Sequence, residues 1–230
     1  MLGREGADRT RLIDLRLAAL LSAVAGGLNA TGFEVAGLFS ANMTGNVSAL
    51  ADQLGSGRVG LALLFAIVVV VFIFGALVAG LVIELGRKRQ FCGVYAAVVL
   101  VEAGLLGGLG LAGFAGWQGA QGTPLIVVLS FLLGLQNAVT TRISAARVRT
   151  THVSGMATDI GLALAGLWVS GTREAQFREQ LGLHLTTIAS FLVGGIAGAV
   201  LHRTVGPLTF VLFALPLALI ACRELSRQAR

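Results

Sequence analysis

The feature that most constrains this chain is an apolar run from Val59 to Ile83 that contains no charged residue. A helix that crosses the hydrocarbon core of a bilayer needs about 20 consecutive apolar residues, and this run is long enough. Five further stretches meet or approach that length, at about residues 17–33, 94–115, 124–139, 183–201 and 206–222. We therefore predict an all-α polytopic membrane protein with six transmembrane helices, forming one transmembrane domain over residues 1–230.

The composition excludes the main alternatives to a membrane protein. Only 12% of the residues are charged, whereas an average soluble domain is about 25% charged, so neither a soluble domain nor a disordered chain fits. The two cysteines, Cys92 and Cys222, are too few and too far apart for a disulfide scaffold or a metal cage. We expect no metal site and no cofactor.

The basic residues indicate membrane topology. The chain has 17 Lys and Arg residues and a net charge of +6, but it lacks the basic helix or zinc pattern of a nucleic-acid-binding protein, so we exclude nucleic acid as a partner. Six crossings place 15 of these residues on one side and 2 on the other. The positive-inside rule then predicts a multi-pass protein of the inner (plasma) membrane with both termini cytoplasmic. Additional crossings at 41–54 and 153–169 would reduce the contrast to 10 against 7.

The first apolar run has an alternative interpretation as a secretory signal. Arg16 precedes a short apolar stretch, and Ala23-Val24-Ala25 has the form of a cleavage site. The apolar pattern continues past that site, and the same stretch has a counterpart later in the chain. Both observations favour a membrane span.

Two short patterns recur in the second half of the sequence. The pattern Gly-x-x-Asn-Ala begins at Gly26 and returns at Gly134, an offset of 108. The segment Asn-Met-Thr-Gly at Asn42 is matched by His-Val-Ser-Gly at His152, an offset of 110. Because each half carries three crossings, an odd number, the second half must enter the membrane from the opposite face. We predict two inverted-topology repeats, at about residues 15–115 and 124–222.

Each half also contains a segment of intermediate polarity, at Ser40–Ala51 and Thr150–Asp159. These segments are too polar to face lipid, where an unsatisfied polar group is costly, and too apolar for an ordinary loop. We interpret them as re-entrant or half-helical segments lining a cavity, with helix N-termini available to an anionic or polar ligand. The alternative is a capped interfacial helix, with Thr44 or Ser154 bonding the backbone. In transporters, interrupted spans at matching positions of inverted halves indicate a midplane site.

The polar side chains of these segments and of the two interrupted spans are the candidate ligand-binding residues: Asn29, Asn42, Thr44, Asn46, Gln136, Asn137, Thr151, Ser154 and Asp159. We expect Asp159 to pair with Arg142 or Arg147. Glu102 lies deep in an apolar span, where a charge costs on the order of 3 kcal/mol on insertion scales. We expect Glu102 to be protonated, paired or facing a polar cavity, and we treat it as a candidate proton or cation relay.

The paired motifs together resemble a known family. They read GLNA at 27–30 and NMTGN at 42–46, then GLQNA at 134–138 and TTHVSG at 150–155. This combination is similar to the YoaK family, and the resemblance covers nearly the whole chain. It implies a small six-span bacterial inner-membrane protein without an established activity. Family members often carry Asp-Ala where this chain has Asn29-Ala30, and Arg-Arg where it has Thr141-Arg142, so a proton or cation role of that acid does not carry over.

Three classes of function are compatible with these patterns. We favour a small transporter or exporter of polar or anionic solutes with a midplane site between the repeats. The alternative is a non-catalytic membrane partner or sensor subunit. An enzyme is disfavoured because no HExxH, GxSxG or CxxC pattern and no Ser/His/Asp set lies at a suitable depth. The expected partners are the lipid bilayer and a small solute. Small-xxx-small spacings at Gly104/Gly108 and Gly194/Gly198 allow close helix approach and are compatible with a homo-oligomer.

Overall fold

The computed structural model describes residues 1–169 and 174–228. In these ranges the chain is all-helical, with eight α-helices and two short 3-10 turns. The helices are α1 (Arg11–Ala36), α2 (Met43–Gly55), α3 (Val59–Lys88), α4 (Val94–Phe114), α5 (Gly122–Ile143), α6 (Val153–Val169), α7 (Glu174–Val205) and α8 (Leu208–Gln228).

Six of these helices are long and apolar enough to cross a membrane, namely α1, α3, α4, α5, α7 and α8. The six predicted spans are therefore confirmed as helices, and the chain has the architecture of a multi-pass membrane protein. Helix α3 leaves most of its apolar side chains at least partly exposed, as a lipid-facing helix does. The two remaining helices, α2 and α6, lie in the segments of intermediate polarity.

The helices extend further than the apolar runs that predicted them. Helix α1 begins at Arg11, because the Thr10 hydroxyl caps it by accepting from the Ile13 N–H at 3.4 Å. Helix α5 continues through the polar Gln136-Asn137 pair to Ile143. One turn later, the Thr140 hydroxyl donates to the Gln136 backbone carbonyl at 3.1 Å. The helix backbone thus satisfies the polar side chain of Thr140, and the helix does not end there.

Three helix pairs form the bundle: α1 with α7, α3 with α5, and α4 with α8. Glycines allow backbone contact where α1 crosses α7. A Cβ atom on Gly26 would overlap the backbone of Phe191, and one on Gly194 would overlap the backbone of Ala23. Such close approach gives the dispersion contacts that hold helices together in lipid, where the hydrophobic effect between helices is absent.

The crossing of α3 and α5 is built in the same way. A Cβ atom on Gly75 would overlap the backbone of Phe131, and one on Gly134 would overlap the backbone of Phe72. Gly134 and Phe131 follow the two α1 contact residues at an offset of 108. Phe72 and Gly75 precede the two α7 contact residues by 119. The two crossings therefore use corresponding positions of the two halves.

The small-xxx-small spacings differ in their surroundings. Gly194 and Gly198 both pack against the backbone of α1. On α4, a Cβ atom on Gly104 or Gly108 would have no neighbouring atom within 4 Å among the described residues, so that stripe faces outward. Helix α4 instead contacts α8 through Gly110, which lies against Pro207 and Val211.

Met1 and the last turns of α8 lie at one end of the bundle, which we call the terminal face. The amino group of Met1 pairs with Glu224 of α8 at 2.9 Å. Arg87, in the last turn of α3, pairs with Glu5 at 3.3 Å. Near the start of α1, the buried carboxylate of Asp14 pairs with Arg9 at 2.6 Å. These contacts tie the amino-terminal segment to α3 and α8.

Candidate functional site

The segment between α1 and α2 folds back toward the middle of the bundle. Gly37 ends α1 in a left-handed conformation, with φ of 68°. The N–H of Ala41 then donates to the side-chain oxygen of Asn29 at 2.8 Å. Because Asn29 lies seven residues before the end of α1, the chain returns by about 10 Å along that helix. Helix α2 therefore begins at the level of Asn29, well inside the end of α1.

Two asparagines shape the start of α2. The side-chain oxygen of Asn42 accepts from the Gly45 N–H at 3.1 Å, which makes Asn42 the N-cap. The Nδ2 group of Asn46 donates to the carbonyl of Phe39 at 3.0 Å. Asn46 thus fixes the fold-back turn.

The segment before α6 makes a similar turn. Ala145 and Ala146 adopt left-handed conformations after α5, with φ of 51° and 64°. The hydroxyl of Ser144 accepts from the N–H of Val148 at 2.9 Å. Ahead of α6, the carbonyl of His152 accepts from the N–H of Met156 at 3.1 Å. His152 thus occupies the position before α6 that Asn42 occupies before α2.

A cavity of about 860 Å³ lies between these two helix starts. Its lining comes from both halves of the chain: Asn29, Phe39, Ala41, Asn42, Met43, Thr44, Gly45, Ser48, Phe72, Asn137, Thr141, Arg149, Thr151, His152, Val153, Ser154 and Phe191. We call this space the central cavity. Its volume lies within the range of about 300–1,000 Å³ that is usual for small-molecule sites.

Six of the nine predicted ligand residues line the central cavity: Asn29, Asn42, Thr44, Asn137, Thr151 and Ser154. The asparagines of the repeated Gly-x-x-Asn-Ala pattern lie on α1 and α5, and the others lie at the starts of α2 and α6. The structure therefore brings together both copies of both sequence patterns in one space.

The other three predicted ligand residues lie elsewhere. Gln136 is fully buried, and neither of its side-chain polar atoms has a partner within the described ranges. Asn46 holds the fold-back turn described above. Asp159 borders two smaller pockets and lies 3.6 Å from the ring of His184.

The expected pairing of Asp159 with Arg142 or Arg147 is wrong. The guanidinium of Arg142 pairs with Glu84 of α3. Arg147 pairs with Asp14 of α1 at 3.1 Å. Both arginines lie near the terminal face, where these carboxylates are closer than Asp159 on α6.

Glu102 is fully buried on α4, away from the central cavity lining. Neither of its carboxyl oxygens has a hydrogen-bond partner within residues 1–169 and 174–228. Its neighbours on α4 include Ala103 and Leu106, which are also buried. These surroundings favour the neutral acid, because an isolated charge in such an environment is very costly.

The sequence patterns did not select several residues that line the cavity. Three are aromatic: Phe39, Phe72 and Phe191. Arg149 adds a positive charge to the side formed by the α6 segment, beside the pattern residue His152. Phe72 and Phe191 are related by an offset of 119, which could have indicated both residues. This offset differs from the offsets of the polar patterns, 108 and 110.

Each of the two glycine crossings, α1 with α7 and α3 with α5, also has an ion pair that joins its helices near one end of the bundle. Arg203 of α7 donates to Glu34 of α1, with the Nε–oxygen distance at 3.0 Å. Arg142 of α5 pairs with Glu84 of α3. Arg142 follows Glu34 by 108 residues and Arg203 follows Glu84 by 119. The two pairs thus occupy corresponding positions with their charges exchanged.

These ion pairs lie at opposite ends of the bundle. Glu84 is one turn before Arg87, which contacts the amino-terminal segment at the terminal face. Glu34 lies in the last turn of α1, whose first turn is at the terminal face. At about 1.5 Å per residue, most of the length of α1 separates Glu34 from that face.

Within the described ranges, no group of three or more His, Cys, Asp and Glu side chains is placed to hold a metal ion. The donors around the central cavity are amides, hydroxyls, a guanidinium and backbone N–H groups. Such a set suits a polar or anionic organic molecule.

Comparison with known proteins identifies the family. Residues 17–223 match the family described as "Protein of unknown function (DUF1275)". The chain belongs to this family. The match includes every residue of the central cavity, and the YoaK-like resemblance of the sequence motifs is consistent with it. No curated protein and no solved structure matches the chain significantly.

Proposed function

We propose that this DUF1275 protein is a small transporter of polar or anionic solutes and that the central cavity is its binding site. The observation that carries the proposal is that both polar segments line this one cavity, although they lie about 110 residues apart in the sequence. Two unrelated interfacial helices would have no reason to begin beside each other. Transporters built from two halves hold their substrates at such a junction.

The two halves are inverted repeats in this proposal, spanning about residues 15–115 and 124–222. Three features support it: the matched glycine crossings, the matched fold-back turns and the exchanged ion pairs. Each crossing joins a helix of one half to a helix of the other. A rotation that loosens one crossing and tightens the other would therefore move the cavity's access from one face to the opposite face.

The two end ion pairs act as gates in this mechanism. Glu34–Arg203 closes the α1–α7 crossing at the end away from the termini, and Glu84–Arg142 closes the α3–α5 crossing at the terminal face. Exposed pairs contribute only about 0–1 kcal/mol each. Breaking one and forming the other is therefore an inexpensive step that is suited to a reversible cycle.

The proposed location is the inner (plasma) membrane with both termini cytoplasmic. The unequal distribution of Lys and Arg supports this orientation. The adjacency of Met1 and Glu224 agrees with an even number of crossings.

We propose binding without catalysis. Within the described ranges, no hydrogen bond joins His152 to a hydroxyl of the cavity, so a nucleophile–base pair is missing there. The alternative function, a sensor or partner subunit, would use the same cavity without moving solute across the membrane.

Solute flux into liposomes tests the proposal. The parent protein is compared with an Asn42→Ala/Ser154→Ala variant, using labelled sugars, nucleobases, organic anions and amines. A Gln53→Ala/Thr158→Ala variant, altered on the same two helices but outside the cavity lining, is the matched control. We expect saturable uptake of one solute class by the parent and the control, with loss in the cavity variant. Uptake equal to that of empty liposomes for every class would contradict transport.

A further inference from the structure

The charge of the central cavity narrows the class of ligand. Asp and Glu are missing from its described lining, whereas the guanidinium of Arg149 is present. The chain has acids close by in sequence, including Glu34 and Asp52. Neither reaches the lining, because Glu34 pairs with Arg203 and Asp52 with Arg58. The cavity therefore has a positive electrostatic balance.

Arg149 differs from the other arginines of its segment. Arg142 and Arg147 are each paired with a carboxylate. Within the described ranges, no carboxylate lies within 4 Å of the Arg149 guanidinium, and the group makes no hydrogen bond to protein. It borders the central cavity. A guanidinium presents a planar fork of N–H donors, which fits an oxyanion.

The backbone at both helix starts supplies further donors. At α2, Asn42 satisfies the N–H groups of Gly45 and Asn46, but those of Met43 and Thr44 have no partner in the described structure. At α6, the first satisfied N–H is that of Met156. Both helix starts border the cavity, so two partial positive charges act on the same space.

A buried amide is an independent indication of a ligand. Asn29 is only 7% exposed, and its oxygen is used by the N–H of Ala41. Its Nδ2 group has no protein partner in the described ranges, although Asn29 lines the cavity. The bond to Ala41 holds the Asn29 side chain in place, and its free Nδ2 donor is left for an acceptor in the cavity.

The rest of the lining is apolar. Phe72 and Phe191 are contributed by the two crossing helices, and Phe39 lies beside the α2 start, where its ring stacks on Phe33 with centroids 4.4 Å apart. A fully hydrated inorganic ion gains nothing from these rings. A molecule that carries an oxyanion on an apolar body uses both the donors and the aromatic surface.

From these features we infer that the ligand of the central cavity is a small organic oxyanion with an apolar body, bound through Arg149, the Asn29 amide and the two helix N-termini. The inference rests on the proposed function in that both use the same cavity, but it concerns binding and does not require transport. It narrows the broader class of polar or anionic solutes to one charge type and one shape.

Thermal unfolding of the purified protein in detergent without added lipid tests this inference. The probes are benzoate, benzamide, benzylamine and inorganic phosphate. Together they distinguish the contribution of the negative charge to binding from that of the aromatic ring. We expect benzoate alone to raise the unfolding midpoint in a saturable way. Arg149→Gln should weaken benzoate binding by about tenfold or more, as loss of a charge-assisted contact does. Arg89→Gln, on an exposed arginine outside the cavity, should leave binding unchanged.

Several results would overturn the inference. A larger shift with benzamide or benzylamine would mean that charge is not selected, and a shift with phosphate alone would remove the apolar body from the ligand. No shift with any probe would also contradict it. If Arg149→Gln fails to fold, the selectivity of the parent among the four probes still decides the question. Benzoate binding without flux would support the inference and contradict transport. Flux of a neutral solute without benzoate binding would support transport and contradict the inference.

Discussion

At the residue scale, the turns that follow α1 and α5 each contain a left-handed residue, but the residue types differ. Gly37 has φ of 68°, and Ala145, which follows it by 108 residues, has φ of 51°. A left-handed conformation costs a residue with a Cβ atom about 1–2 kcal/mol. The second turn is therefore strained where the first is not.

This difference predicts opposite effects of two substitutions. Ala145→Gly should stabilise the protein by about 1 kcal/mol, and Gly37→Ala should destabilise it by a similar amount. Chemical unfolding in detergent, followed by the signal of Trp117 and Trp168, measures both. A loss of stability in Ala145→Gly would contradict the conformation described for that turn.

The buried Glu102 gives a second prediction at this scale. If it is a neutral acid without a partner, Glu102→Gln should change the free energy of unfolding by less than about 1 kcal/mol. Asp14→Asn is the contrasting variant, because it leaves the buried Arg9 without its partner carboxylate, and breaking a buried pair costs about 3–5 kcal/mol. Equal losses in the two variants would indicate a charged, paired Glu102. Its role as a proton or cation relay stays a prediction.

Residue type alone could not show which polar side chains face the cavity. Thr44 and Ser48 lie one turn apart on the lining face of α2, whereas Asn46, two residues from each, faces away from them. The sequence predicted polar residues of this segment at a cavity, and Thr44 and Ser48 line the central cavity. It could not give the rotation of the helix, because neither face of α2 is clearly apolar.

At the element scale, the glycine crossings set the positions of α1, α3, α5 and α7. Gly134→Ala should place a methyl group against the backbone of Phe72 and cost about 1–3 kcal/mol, as overpacking does. Gly104→Ala meets no neighbouring atom among the described residues and should be neutral or stabilising by up to about 1 kcal/mol. Unfolding in detergent compares the two variants. Equal effects would contradict the close crossing of α3 and α5.

The two gate ion pairs make a prediction about access. Glu34→Gln should increase labelling of a cysteine at Thr44 from the face away from the termini, and Glu84→Gln should increase it from the terminal face. A membrane-impermeant maleimide, applied to either side of oriented vesicles in a background without Cys92 and Cys222, measures this. The two variants serve as controls for each other. The same change in both would show that the pairs only stabilise the fold.

Hydropathy predicted the membrane-spanning helices but not which of them pack against each other. In lipid, the face of a helix that contacts another helix is as apolar as the face that contacts lipid, so amphipathicity does not show which helices pair. Glycine spacing helped only in part, because Gly194 and Gly198 pack on α1 while Gly104 and Gly108 face outward. One sequence therefore could not predict which helix of the first half packs on which helix of the second.

At the scale of the whole molecule, the two halves are joined by contacts that alternate between them. Helix α1 of the first half packs on α7 of the second, and α3 of the first packs on α5 of the second. The α4–α8 pair also joins the halves. Neither half could bury its inner surface alone, so we expect the protein to unfold as one cooperative unit.

The sequence patterns that predict the proposed repeat consist of small and amide residues, and they do not include the charged residues of the two ion pairs. Glu34 corresponds to Arg142 and Glu84 to Arg203, so a comparison by residue type finds no match at these positions. The pairs are equivalent only in three dimensions, because each half contributes one acid and one base. A search for exchanged charges finds them only when two different offsets are used, 108 for Glu34 and Arg142 and 119 for Glu84 and Arg203.

The two polar segments begin beside each other in one cavity, and the distance between their first turns can be measured. Spin labels on Thr44→Cys and Ser154→Cys, in lipid nanodiscs without the native cysteines, should give a distance below about 20 Å, because both residues line a single small-molecule-sized cavity. A control pair on Asp52 and Arg89 should exceed about 35 Å, since α3 separates them at about 1.5 Å per residue. If the segments were interfacial helices on opposite faces, the first pair would lie about 30 Å or more apart. That distance would contradict the account.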